Sequence, residues 1–145
     1  MPGTRKGFTL QQAGPRGLAW LVERTSAGLT ANARGIQAVD SKGVIRGVVA
    51  YDQWTLNSVQ AHMAVDTPLA WRALLPHVFV YPFQHVGIIL GIIPAGNTKS
   101  TEMVKRLGFQ KAWTFWRGWS QTEDLVLWRM YREDCRYLAP SARVM

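Results

Sequence analysis

The sequence contains a single cysteine, Cys135, among its 145 residues. One thiol excludes an internal disulfide bond and a zinc site built from several thiolates. The other residues show no spacing typical of metal ligands, and we therefore expect no metal. Because unpaired cysteine is typical of a reducing compartment, we expect a cytoplasmic protein.

Long apolar runs are also missing. The stretch VGIILGIIPAG, residues 86–96, is about half of the ~20 apolar residues that cross a bilayer, and it ends with a proline and a glycine. A buried strand is the better interpretation. The first residues are basic but lack the apolar segment of a signal peptide. The length suits one domain, so we expect a single domain over residues 1–145 with no membrane partner.

Acidic residues are scarce: Asp and Glu number 9, whereas Lys and Arg number 17. The resulting net charge of +8 predicts attraction to anions, which include nucleic acid, acidic proteins and phosphate-bearing cofactors. The basic residues are spread over the chain and form no block that resembles a nucleic-acid-binding arm. The charge alone leaves the choice among these partners open.

The order of apolar runs and turn residues predicts a mixed α/β fold with the order β-α-ββ-β-α-β-α-β-β. Most neighbouring strands are expected to be antiparallel, with one strand–helix–strand crossover in the middle. The alternation of SVQAHMAV, residues 58–65, indicates a half-covered strand, and Pro68 begins the next helix. Pro76 must kink or interrupt that helix, because proline has no N–H to donate. A later helix ends at Gly108, a residue typical of the position after the last turn.

Three stretches of the sequence together resemble one family. The first is NTKSTEMVKRLGF at residues 97–109, an Asn-x-x-Ser followed by a helix and Leu-Gly-Phe. The second is HVFVYPFQHVGIILGIIPAGN at residues 77–97, a helix, a glycine turn and an apolar strand. The third is DLVLWRMYREDC at residues 124–135. Over residues 35–137 the chain resembles the GCN5-related N-acetyltransferase (GNAT) superfamily, in particular its ribosomal-protein alanine acetyltransferase branch and the small acetyltransferases of phages.

The resemblance implies a mixed, mostly antiparallel central sheet that is flanked by helices and splayed between two middle parallel strands. Acetyl-coenzyme A is the acyl donor in this family, and its pantetheine arm lies in the splay. Here the resemblance implies backbone contacts from Met63, Ala64 and Val65. The pyrophosphate would lie at the N-terminus of the next helix, where free N–H groups and the helix dipole attract anions. The implied contacts there are Leu69, Ala70, Trp71 and Arg72, and on the other strand Asn97 and Ser100.

Two features depart from the family pattern. The stretch DTPLAWRALL, residues 66–75, contains no glycine, whereas the family places a glycine-containing loop at the pyrophosphate. Arg72 offers a charge-assisted contact to a phosphate instead. Many relatives also carry a tyrosine that serves as general acid where this chain has Val104. Ser100 is then the candidate that protonates the departing thiolate.

Three polar residues near the implied splay allow two interpretations each. His62 is either the general base that takes a proton from an attacking amine or a half-exposed strand histidine without a role. Asn97 and Ser100 either contact the cofactor or cap a helix, and one helix entrance can serve both tasks.

Three residues at strand ends are candidate substrate contacts. Tyr51 and Asp52 end one strand near the implied acceptor groove, and the alternative is ordinary surface placement. Asp66 is a base or substrate contact, or else a helix cap just before Pro68.

The aromatic stretch WTFWRGW, residues 113–119, also has two interpretations. Its alternation indicates that at least one face lies in the core or at a homodimer interface. The alternative is an exposed platform on which nucleic-acid bases stack beside Arg117.

The leading functional interpretation is an N-acetyltransferase that moves acetyl from acetyl-coenzyme A to a primary amine by direct attack. The acceptor would be a protein N-terminus, a lysine or a small amine. One alternative is a phage-type enzyme with the same fold that modifies a nucleobase amine in DNA. A degenerate relative that only binds a protein or DNA is the other alternative, and the missing glycine loop favours it.

Overall fold

The computed structural model describes residues 3–5 and 7–144. The strands within them are β1 (Gly3–Arg5), β2 (Phe8–Gln12), β3 (Arg34–Val39), β4 (Ile45–Asp52), β5 (Ser58–Val65), β6 (Ile88–Pro94), β7 (Gln110–Ser120) and β8 (Glu123–Tyr131). The α-helices are α1 (Pro15–Thr25), α2 (Pro68–Val78), α3 (Val80–Phe83) and α4 (Thr98–Leu107). The strands form one sheet in the order β1-β2-β3-β4-β5-β6-β8-β7. β5 and β6 are parallel, and the other neighbouring pairs are antiparallel. None of the described helices is long and apolar enough to cross a membrane.

The mixed, mostly antiparallel sheet confirms the predicted fold class. The structure adds β1 ahead of the first predicted strand and α3 behind α2. α2 contains Pro76 in its last turn and ends at Val78, and α3 follows after one residue. Pro76 has no N–H to donate to the carbonyl of Arg72 one turn earlier, so the last turn of α2 is weakened and the helix ends two residues after the proline.

Two hydrophobic clusters cover the two faces of the sheet. In β4, Val49 and Tyr51 join the cluster that contains the buried residues of α2 and α4. Val48 and Ala50 join Leu21 of α1 in the other cluster. Alternate residues of a strand point to opposite faces, so β4 is buried on both sides.

Gly47 sets how closely α2 approaches β4. A Cβ at this position would lie 2.9 Å from Val65 Cγ1 and 3.0 Å from Leu74 Cδ1. Both distances are shorter than the ordinary contact distance between carbon atoms. The glycine therefore lets the first turns of α2 pack down on the sheet beside the end of β5, next to the candidate site.

β7 is an edge strand of the sheet and is exposed along nearly its whole length. The sequence predicted that at least one face of its aromatic stretch lies in the core or at a homodimer interface. The core placement is wrong, because among the described strands β7 pairs with β8 alone and its tryptophans remain open to solvent. The homodimer interface stays a prediction.

Candidate active site

The two parallel strands of the sheet diverge. β5 pairs with β6 over three residues, Ser58–Gln60 with Ile88–Leu90. Beyond these pairs β5 continues to Val65 and β6 to Pro94. Buried backbone N–H and C=O groups are normally paired, so strand edges that separate in this way offer hydrogen bonds to an extended ligand. The predicted splay between two central parallel strands is confirmed.

We call the gap between residues 61–65 of β5 and residues 91–94 of β6 the strand cleft. Met63, Ala64 and Val65, the predicted backbone contacts of the cofactor, lie on its β5 wall and are half-buried. Met63 and Val65 pack against the cluster on the α2 side, whereas Ala64 packs against the cluster on the α1 side. Side chains on both faces therefore hold this wall in place while its edge stays open.

Gly91 leaves space on the β6 wall of the strand cleft. It is the first residue of β6 beyond the last pair with β5, and it is buried. A Cβ placed on Gly91 would meet no atom within 4 Å. Protein interiors are close-packed, so open space beside a buried strand residue marks room for something else.

The N-terminus of α2 follows directly after the β5 wall. Thr67 is its N-cap, and the Thr67 side chain accepts a hydrogen bond from Ala70 N–H at 3.1 Å. Trp71 N–H donates to the Thr67 carbonyl at 3.3 Å, and Pro68 has no N–H. Among the described donors of this first turn, Leu69 N–H alone keeps no acceptor. The predicted phosphate site thus has the positive end of a helix dipole but few free donors.

Asp66, just before this cap, pairs with two arginines. Its Oδ1 lies 3.4 Å from Arg24 Nε and its Oδ2 lies 3.6 Å from Arg46 Nε. The expectation that Asp66 caps α2 is wrong. Thr67, one residue later, has the extended backbone and the hydroxyl oxygen that reach the free N–H of the first turn. Asp66 instead brings two guanidinium groups to this end of the helix.

Asn97 caps α4 just past the end of β6. Its Oδ1 accepts Ser100 N–H at 3.1 Å, which confirms the capping role predicted for this pair. The bond occupies the amide oxygen, so the exposed Asn97 offers its Nδ2 as a donor. Gly96 N–H donates to Glu123 Oε2 at 2.8 Å, and this bond fixes the turn against the start of β8.

His62 and Asp52 form a hydrogen-bonded pair, with 2.7 Å between His62 Nε2 and Asp52 Oδ1. Ala50 lies opposite His62 across β4 and β5, so Asp52 lies diagonally from the histidine on the same face. Asp52 is fully buried, and its other oxygen accepts Thr30 N–H at 3.0 Å. A carboxylate that is held in this way orients the imidazole and accepts a hydrogen bond from Nε2–H, which leaves Nδ1 as the nitrogen that can accept a proton. We call these two residues the His–Asp dyad.

Tyr51 is not available to a substrate. Its side chain is fully buried, and its hydroxyl donates to the Val78 carbonyl at 2.6 Å. Burial raises the pKa of the Tyr51 phenol far above its usual value. The expectation that Tyr51 and Asp52 contact substrate or lie on the surface is wrong, because Tyr51 belongs to the core and Asp52 lies buried behind His62.

Comparison with known proteins gives structural matches alone. No protein-family model and no curated protein matches the chain. Ribosomal-protein-S5-alanine acetyltransferase from Vibrio fischeri is 14% identical over 96% of this chain and 100% of its own, with a TM-score of 0.70. A mutant of the spermidine N-acetyltransferase from Vibrio cholerae is 13% identical over 94% of this chain and 99% of its own, with a TM-score of 0.72. The chain has the GNAT fold. The resemblance seen in the sequence is therefore confirmed at the level of the fold.

Within this GNAT fold, sequence reasoning missed Thr67, Gly91 and the pairing of Asp52 with His62. Thr67 was detectable, because threonine before a proline is a common start of a helix. The sequence did not indicate the role of Gly91, since a glycine inside an apolar strand can have several structural reasons. The dyad could be predicted only from the register between β4 and β5, which local sequence does not determine.

Proposed function

We propose that the chain is an N-acetyltransferase that moves acetyl from acetyl-coenzyme A to a primary amine. The observation that carries the proposal is the strand cleft, whose open β5 wall bears His62 of the His–Asp dyad. Solved structures with the same fold are N-acetyltransferases, which supports transfer to an amine in general.

The described residues fit a donor with an extended, amide-bearing arm. The N–H and C=O groups of Met63 and Val65 point toward the strand cleft and can pair with the amides of such an arm, whereas those of Ala64 point toward β4. Asn97 Nδ2 and the hydroxyl of Ser100 supply hydrogen bonds beyond the opposite wall. The space beside Gly91 gives the arm room between the strands. The donor itself supplies an acetyl group that is activated as a thioester.

Charge, more than N–H donors, would hold the phosphates of the donor. Leu69 N–H provides one hydrogen-bond donor, and the dipole of α2 provides a positive potential. The N–H groups of Ala70 and Trp71 are already bonded, so these two residues would lie near the phosphates without donating to them. Arg72 is exposed on the second turn of α2. It takes over part of the work of the absent glycine loop, whereas the nearby Arg24 and Arg46 are ion-paired with Asp66 and Asp40.

The reaction is direct attack by the acceptor amine. The amine nitrogen forms a bond to the thioester carbonyl carbon while the bond between that carbon and sulfur breaks. His62 Nδ1 takes the proton that the amine loses, and Asp52 stabilises the imidazolium through Nε2. Ser100 donates its hydroxyl proton to the departing thiolate and regains one from water. Backbone N–H groups of the cleft wall polarise the carbonyl oxygen.

The acceptor is a protein N-terminus, a lysine or a small amine in the cytoplasm. A nucleobase amine in DNA, the substrate of a phage-type enzyme, is the second candidate, and the exposed aromatic side chains of β7 favour it. A non-catalytic binding protein is the third, and the shortage of N–H donors at α2 favours it.

Calorimetric titration with acetyl-coenzyme A tests the proposal. We expect a dissociation constant within the range of about 1 μM–1 mM that is usual for enzyme substrates. Turnover with an amine acceptor then appears as release of free thiol. A folded protein that shows no heat of binding at millimolar acetyl-coenzyme A would contradict the proposal and favour the non-catalytic binding protein.

Asn97→Asp separates the two roles of Asn97. Aspartate keeps an oxygen for Ser100 N–H and therefore keeps the cap, but it lacks the Nδ2 donor and adds a negative charge. We expect an unchanged melting temperature and acetyl-coenzyme A binding that is weaker by roughly three- to tenfold, the contribution of one hydrogen bond. Asn97→Ala serves as the comparison, since it loses the cap as well and should cost about 1 kcal/mol of stability. Equal affinity in the parent and Asn97→Asp would show that Asn97 is a cap alone.

A further inference from the structure

Four large aromatic side chains stand exposed on the edge strand β7. Trp113, Phe115, Trp116 and Trp119 are 63, 44, 74 and 55% exposed. Exposed aromatic side chains clustered on one strand mark an interaction surface, because scattered single residues are the rule on protein surfaces. We call these four side chains the aromatic platform.

Part of the aromatic platform lies on the same face of the sheet as His62. Trp113 is paired with Leu127 of β8, which is paired in turn with Ile92 of β6. Directly paired residues share a face, and Ile92 is itself 40% exposed. Gln60 on β5 pairs with Leu90 on β6, so the two side chains share a face. His62 and Ile92 lie two residues further along their strands and therefore point to that same face. An apolar, open surface therefore extends from the platform to the strand cleft.

Basic residues outnumber acidic residues by one around the aromatic platform. Residues 110–131 contain the bases Lys111, Arg117 and Arg129 and two acids, Glu123 and Asp124. Both acids are engaged: Glu123 Oε2 accepts Gly96 N–H at 2.8 Å, and Asp124 Oδ1 accepts Arg117 N–H at 2.9 Å.

The guanidinium of Arg117 lies directly over an aromatic ring of the platform. Its Cζ is 4.1 Å from the centre of the Trp116 ring. Arg117 thus combines a cation with an aromatic plane, which suits a ligand that carries both flat rings and negative charge.

A second copy of the chain is a poorer occupant of this edge. In antiparallel pairing of two β7 strands centred on Thr114, Lys111 of one copy would face Arg117 of the other, and like charges opposite each other destabilise a sheet. The register of β7 on β8 also shifts between Lys111 and Trp113 and between Phe115 and Ser120. Such irregularities protect an edge strand against pairing with another strand.

We propose that the aromatic platform binds single-stranded nucleic acid. The bases stack on the tryptophans and Phe115, and the phosphates pair with Arg117 and Arg129. The net charge of +8 adds long-range attraction. If the proposed acetyl transfer holds, the bound strand presents the exocyclic amine of a base to His62 across two strand spacings of ~4.8 Å each and the wider strand cleft.

Fluorescence anisotropy with a labelled oligothymidylate tests the binding. Thymine has no exocyclic amine, so this titration is independent of any transfer reaction. We expect Trp113→Ala and Trp116→Ala each to weaken binding roughly five- to hundredfold, the usual effect of removing one stacking partner. These substitutions leave the net charge unchanged, so the parent and the variants should share one salt dependence. Leu56→Ala, which changes a fully exposed apolar residue outside the platform, should bind like the parent.

Two results would overturn the proposal. One is equal affinity in the parent and both tryptophan variants, which would reduce the binding to general attraction by a basic surface. The other is no oligothymidylate binding at low salt together with a dimer in sedimentation that Trp116→Ala dissociates, which would assign the platform to a second copy. If the protein binds oligothymidylate but does not bind acetyl-coenzyme A, the platform proposal is supported and only the transferase function is contradicted.

Discussion

His62→Ala is expected to lower kcat by about 10²–10⁴-fold, the usual contribution of a positioned general base. The dissociation constant of acetyl-coenzyme A should stay unchanged, because in the proposed complex the donor contacts the β5 backbone and not the imidazole. The measurement is thiol release with an amine that supports turnover, alongside calorimetry with the donor. His85→Ala is the matched control, since His85 packs against Trp54 and Tyr81 away from the dyad. Unchanged turnover in His62→Ala would remove the histidine from the mechanism.

Asp52→Asn extends this test to the partner of His62. Asparagine has nearly the same shape, and its oxygen can still accept Thr30 N–H. Its amide then donates to His62 Nε2, which moves the ring proton to Nδ1 and leaves no free nitrogen to accept one. We expect a loss of kcat close to that of His62→Ala, and no further loss in the double variant, because the two residues act as a unit. Losses that multiply in the double variant would indicate separate roles.

Gly91→Val is expected to block the donor without harming the fold. The valine side chain occupies the open space beside the strand cleft, where the arm of the donor would otherwise lie. We expect affinity for acetyl-coenzyme A to fall by roughly 10- to 100-fold, which corresponds to an overpacking cost of about 1–3 kcal/mol. The melting temperature should stay equal or rise, because β-branched residues favour strands and glycine does not. Calorimetry and thermal unfolding measure the two effects.

Gly28→Val is the control for this substitution. Gly28 is exposed in the loop between α1 and β3, and a Cβ there also meets no atom within 4 Å. It should bind the donor like the parent. Parent-like affinity in Gly91→Val would show that the donor does not use the space in the strand cleft.

Helix ends were predictable because one residue determines each of them. Pro68 begins α2, and Gly108, with a φ of 103°, follows the last turn of α4 as predicted. Asn97 caps α4 because its side-chain oxygen reaches the N–H three residues later. The cap of α2 is Thr67 and not Asp66. The sequence did not distinguish these two neighbours, because aspartate and threonine both cap helices.

The site itself depends on contacts that the local sequence does not specify. β4 is apolar on both faces up to its last residues, so alternation did not reveal that Tyr51 faces the core and Asp52 faces His62. The prediction that β5 diverges from β6 came from the family resemblance, because the sequence pattern of each strand is ordinary by itself. The sequence left open whether Trp113 and Trp116 are covered or exposed. Their alternation suggested a covered face, but coverage depends on where β7 lies in the sheet.

The Thr67 cap has a consequence for the catalytic cycle. The cap occupies a helix N–H that a phosphate would otherwise use, so the proposed donor would be held loosely at its anionic end once it is spent. If the proposed transfer holds, the by-product would leave quickly and inhibit the protein little. Turnover would then be limited by the chemical step, whereas many enzymes wait for product to leave.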